Sequence, residues 1–96
     1  MFIISLTYTA ALDALEPHRP AHRAWLDRGI AEGWMLLAGP REPREGGIIL
    51  ARGTRADLQE KAATDPFFTH GLSTFELIEF NAVRAAAGLT LESLLA

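Results

Sequence analysis

Residues 34–52 read WMLLAGPREPREGGIILAR: two apolar runs, Trp34 to Ala38 and Gly47 to Arg52, separated by a stretch holding Gly39-Pro40, Pro43 and Gly46. Continuous apolar runs this short, bounded by turn residues, are the pattern of strands buried on both faces. On this reading two strands follow one another with only a turn between them. To the N-terminal side, Gly33 is a natural terminator for a helix running from Pro20 to about Glu32, because Pro20 suits a first turn, where its missing N–H costs nothing. Asp13 to Pro20, with Pro17 inside it, reads as a breaker-rich connection. Before it, Phe2 to Tyr8 alternates, with Phe2, Ile4, Leu6 and Tyr8 on one face and Ile3, Ser5 and Thr7 on the other. To the C-terminal side, Thr54 followed by Asp57 opens a second helix in the manner of a capping box. Pro66 ends that helix by Asp65, since the residue before a proline is pushed out of the helical region. Thr74 to Phe80 is a fourth strand, and residues 82–96 form a leucine-rich tail expected to contain a short helix.

The order strand, helix, strand, strand, helix, strand predicts an α+β domain of the ferredoxin-like βαββαβ plan, with two helices on one face of a four-stranded antiparallel sheet. A single domain is expected over 1–96, with its core in 1–81. The second and third strands are apolar at successive positions, and the fourth carries Phe75 and Leu77 on one face and Ile78 and Phe80 on the other. Helices cover only one face of such a sheet, so the second apolar face predicts a homodimer through stacked sheets; the alternative is the tail folding back over its own sheet.

Composition narrows the chemistry. The 96 residues include no cysteine, which removes disulfides, thiolate metal sites and cysteine nucleophiles. A formal net charge of −3 and the absence of a basic stripe argue against nucleic acid. The third strand also lacks the aromatic residues that an RNA-binding sheet displays. The apolar start has no cationic leader, and no run reaches membrane length, so a cytoplasmic protein is expected.

Histidine and carboxylate remain as candidate proton carriers. Steps of four from His22 reach Leu26 and Ile30, with Trp25 and Gly29 on the same side, which puts His22 on the sheet-facing stripe of the first helix. Leu58, Ala62 and Asp65 mark the inward stripe of the second helix, with Asp65 at its C-terminal end. Both helices press on one sheet face, so His22 and Asp65 can share a pocket. A helix N-terminus favours the uncharged imidazole, and a carboxylate fixes its tautomer, which suits a general base. The same pair also fits a histidine that merely seals a helix end. His18 and His22 have the spacing of helical metal ligands, but the prolines and the lack of a third ligand argue against a metal.

At these residues the chain resembles the YciI-like, or YCII-related, family: Arg19-Pro20-Ala21-His22, Glu32-Gly33, Ala38-Gly39-Pro40, Asp65-Pro66-Phe67 and Gly71-Leu72 stand in order through residue 81. The resemblance implies a dimeric α/β barrel related in fold to muconolactone isomerases, with a histidine and an aspartate, here His22 and Asp65, as the proposed active site. The chain departs from the family in the short segment Arg41 to Glu45, which reduces any pocket wall built there, and in its longer tail beyond Asn81. The expected function is a cofactor-independent small-molecule enzyme, isomerase- or lyase-like, with Ser5, Tyr8 or His70 contacting substrate. The alternative is a non-catalytic dimeric module that binds a small ligand or another protein.

Overall fold

The computed structural model describes residues 1–95. Strand β1 (Phe2–Tyr8) leads into a short helix α1 (Leu12–Leu15), a 3-10 turn (Glu16–His18) and the long helix α2 (Arg19–Glu32). Strands β2 (Met35–Pro40) and β3 (Gly46–Ala51) follow, then helices α3 (Arg55–Ala62) and α4 (Pro66–Thr69), strand β4 (Ser73–Glu79) and helix α5 (Leu91–Leu95). The four strands lie in the order β2-β3-β1-β4 with every neighbouring pair antiparallel. This is the ferredoxin-like α+β arrangement that the strand and helix order predicts.

The two-residue period of β1 decides which face is covered. Phe2, Ile4 and Leu6 are buried, and the register puts Ile49 and Leu77 beside Ile4, Ala51 beside Phe2, and Phe75 beside Leu6. Trp25 of α2 and Leu58 and Ala62 of α3 close over this face and complete the core. Each such aliphatic or aromatic side chain contributes roughly 1.5–3 kcal/mol on burial. The approach of β3 to β1 requires a glycine: a Cβ on Gly46 would lie 1.8 Å from the Leu6 carbonyl oxygen. Gly33 ends α2 as expected, with φ of 86° and its N–H donating to the carbonyls of Gly29 and Ile30.

Several boundaries differ from the sequence reading. Most of Asp13 to Pro20 is helical, because Pro17 and Pro20 each fall at the start of a helical turn, where no N–H is required. Ile30 is exposed, so the inward stripe of α2 ends at Gly29. Neither β2 nor β3 is buried on both faces. Strand β2 is an edge strand, exposed from Leu37 onward, and this position lets it run through Gly39 to Pro40. In β3, Ile49 and Ala51 are buried while Ile48 is exposed.

The face away from the helices carries Leu37, Ile48 and Ile78, which are 67%, 39% and 45% exposed. On the same face Ile3 and Leu50 are half-buried, and Ser5, Thr7, Thr74 and Glu76 supply its polar part around β1 and β4. The tail does not bury this surface, since Val83 and Leu89 are themselves exposed. The helix expected in 82–96 is confined to Leu91–Leu95, and Ala96 lies outside the described residues. Arg52 anchors it: Nε donates to the Gly33 carbonyl at 2.8 Å, and Nη1 donates to the carbonyls of Ser93 at 2.8 Å and Leu94 at 3.2 Å. Among the described residues no helix is long and apolar enough to cross a membrane.

Candidate functional site

His22 is the fourth residue of α2, which begins at Arg19 and carries Pro20 in its first turn. Asp65 reaches it from a different local structure than the sequence suggests. Helix α3 ends at Ala62, the chain turns, and Asp65 caps the separate helix α4, whose first residue is Pro66. Extended backbone at Asp65, with φ −58° and ψ 126°, is what a residue before proline adopts. Its Oδ1 accepts from the Phe67 N–H at 3.1 Å, the capping interaction that fixes the carboxylate.

The same oxygen meets His22 Nδ1 at 2.7 Å. Asp65 is fully buried, and the His22 side chain retains 13% exposure. The Phe67 ring stacks on the imidazole at 4.0 Å between centroids and 10° between planes, and Trp25 lies 5.8 Å away. Trp25 is in turn held by its Nε1, which donates to Thr64 Oγ1 at 2.9 Å. Ring orientation is therefore set from three sides by residues whose own positions are fixed.

His22 forms part of the wall of a cleft of about 320 Å³, and Asp65 sits behind that wall. Leu6, Tyr8, Leu26, Ile49 and Phe67 give the cleft an apolar lining, and the end of β2 from Ala38 to Pro40 closes one side. Arg19 and Arg23 reach it from α2 and Arg44 from the β2–β3 turn. When the ring is uncharged, a proton on Nδ1 shared with Asp65 leaves the lone pair on Nε2, the ring nitrogen that Asp65 does not hold. Such a group can accept a proton from a bound molecule and return it.

Of the residues singled out from sequence, His22 and Tyr8 line the cleft and Asp65 supports it. Ser5 lies on the opposite sheet face, between Ile48 and Glu76. His70 is exposed; its Nδ1 lies 2.8 Å from the Pro66 carbonyl, and its ring packs on His18 at 4.0 Å. Neither lines the cleft. Among the described residues, no group of three or more His, Asp or Glu is placed to hold a metal ion.

Sequence reasoning missed Arg19, Arg23, Arg44 and Phe67. The spacing 19, 22, 23, 26 is one helical face, so the arginines of α2 were detectable from the position of His22. Arg44 carries no such signal. From the short segment Arg41 to Glu45, Arg44 lines the wall.

The YCII-related domain model matches residues 1–81. No match is found among curated protein sequences. Among solved structures, the chain is similar to the 5-chloro-2-hydroxyhydroquinone dehydrochlorinase of Burkholderia phenoliruptrix AC1100 in complex with 2,5-dihydroxybenzoquinone. The TM-score is 0.71 at 17% identity, covering 83% of this chain and 92% of that one. At that identity the likeness is one of fold.

Proposed function

We propose that this chain, which belongs to the YCII-related family, is a cofactor-independent small-molecule enzyme of isomerase or lyase type in which His22 transfers a proton. The observation that carries this reading is the 2.7 Å contact from Asp65 to His22 Nδ1, with the imidazole set in the wall of an open cleft. Nε2 takes a proton from carbon or oxygen of the substrate and delivers it to a second position, so the ring ends the cycle as it began. Asp65 is a positioning residue: it fixes the tautomer and compensates the charge that forms on the ring during transfer. Tyr8 contacts substrate, while Ser5 and His70 stand outside the cleft. The dehydrochlorinase of similar fold was solved with a dihydroxybenzoquinone, which supports small ring compounds as the first substrates to test.

We further propose a homodimer that covers the apolar part of the open sheet face around Leu37 and Ile48. A single chain leaves those residues in water, and a second copy stacked on them removes that exposure.

A purely structural role for the pair is favoured by one observation: Asp65 also caps α4 through Phe67. His22→Gln separates the two readings. Enzyme assays across hydroxylated quinones, phenols and enolisable ketones are expected to lose a factor of about 10²–10⁴ in kcat in a variant that still folds. A folded His22→Gln protein with unchanged turnover overturns the proposal. For the dimer, light scattering that returns a 10.5 kDa species refutes it.

A further inference from the structure

The cleft carries a charge pattern that the His22–Asp65 pair does not require. Arg19, Arg23 and Arg44 all line it, and among the described residues no aspartate or glutamate does. The chain as a whole has a formal net charge of −3, so the positive cleft is a local inversion. We infer that the cleft selects a small organic anion, an apolar ring bearing an enolate, phenolate or carboxylate oxygen, and that Arg23 and Arg44 are the residues that select it. This inference rests on the proposal that the cleft is the substrate site.

The three guanidinium groups differ in what already satisfies them. Arg19 is anchored by Glu16, Nη2 to Oε1 at 2.8 Å, and its Nε is buried without a partner. Arg41, adjacent in the β2–β3 turn but outside the cleft wall, is occupied by Glu45 at 3.8 Å and Thr7 at 3.4 Å. Among the described residues, Arg23 and Arg44 have no carboxylate partner. They converge on one space from two different elements, helix α2 and the β2–β3 turn, which a solvated helix face alone does not produce. Guanidinium groups present paired donors that match an anionic oxygen and its neighbour. In the same cleft, Leu6, Leu26, Ile49 and Phe67 offer apolar contact for a ring. A volume of about 320 Å³ sits at the small end of ligand pockets, which restricts the ring compound to a small one. Removal of a proton by His22 places negative charge on the bound molecule, and arginines lining the same cleft can help balance it.

The test is calorimetric titration of the full chain with 2,5-dihydroxybenzoquinone and benzoate as anions, and with benzamide and 1,4-benzoquinone as uncharged counterparts. Anion binding is expected to weaken about tenfold in each of Arg23→Gln and Arg44→Gln, equivalent to about 1.4 kcal/mol, and to weaken further as salt is raised. Arg55→Gln, which removes the same charge far from the cleft, is expected to leave affinity unchanged and controls for net charge. Benzamide and benzoquinone binding as tightly as the anions, or no probe binding, overturns the inference. So does anion affinity that is indifferent to both arginine variants. His22→Gln distinguishes the two proposals. Anion binding that depends on Arg23 and Arg44, together with turnover indifferent to His22, sinks the catalytic reading and leaves the anion site standing. His22-dependent turnover of uncharged substrates alone does the reverse.

Discussion

Asp65→Asn is the substitution whose cost the structure fixes most tightly. Both hydrogen bonds to this side chain converge on Oδ1, from His22 Nδ1 at 2.7 Å and the Phe67 N–H at 3.1 Å, while Oδ2 is buried without a partner. An asparagine that keeps its oxygen at Oδ1 puts an NH₂ group at the buried Oδ2 position, shut off from water, where the carboxylate oxygen has no hydrogen-bond partner among the described residues. The flipped rotamer points that NH₂ at the Phe67 N–H and strips α4 of its cap. In both, two charge-assisted bonds become neutral ones or vanish, and a buried donor is stranded. A stranded buried group costs about 1–3 kcal/mol, so about 2 kcal/mol is expected in total. For a domain of this size that lowers Tm by roughly 8–16 °C. The assay is thermal unfolding followed by circular dichroism, with Glu79→Gln in parallel. Glu79 pairs with Arg55 at 3.4 Å on the surface, both more than half exposed, and its loss is expected to cost less than ~1 kcal/mol. An Asp65→Asn protein that melts within about 2 °C of the parent, or no lower than Glu79→Gln, refutes the reasoning.

Three further outcomes are expected. Gly46→Ala drives a methyl group to 1.8 Å from the Leu6 carbonyl oxygen and must part β3 from β1, so soluble yield is expected to collapse or stability to fall by more than about 4 kcal/mol; a well-folded variant contradicts the packing described. Arg52→Ala removes the guanidinium that holds the carbonyls of Ser93 and Leu94, and hydrogen exchange is expected to accelerate at the amides of α5 while β1 keeps its protection. Leu37→Asp places a charge at a site 67% exposed in the single chain, so it is expected to leave the fold intact and to shift sedimentation from dimer to monomer; an unchanged dimer moves the interface elsewhere.

Much of the architecture was legible because it depends on local patterns that tertiary context reinforces. Alternation from Phe2 to Tyr8 gives β1 with its observed bounds, Gly33 ends α2 through a positive φ, and Thr54 Oγ1 accepts from the Asp57 N–H at 3.2 Å as the capping pattern implies. The edge position of β2 was not legible, since strand order is a property of pairing partners and not of the strand's own residues. Prolines misled in Asp13 to Pro20, because a proline breaks a helix only where its N–H is needed. The carboxylate of Asp65 does meet His22, but from the cap of a separate helix and not from the end of α3. An aspartate directly before a proline is a cap signature for a new helix, and that short helix, Pro66–Thr69, is what turns the carboxylate toward His22. Arg44 had no local signal at all, as its place in the cleft follows from where the β2–β3 turn ends up over α2.

Proton transfer by His22 depends on which of its ring nitrogens carries the lone pair. Nitrogen NMR of the ¹⁵N-histidine-labelled protein, at a pH where the His22 ring is uncharged, reads this directly. The expected result is a proton on Nδ1 and a lone pair on Nε2, with only the Nε2 resonance moving when 2,5-dihydroxybenzoquinone is added. A proton on Nε2 instead, or an Nε2 signal that ignores every ligand bound in the cleft, would contradict the proposal that His22 is the proton carrier.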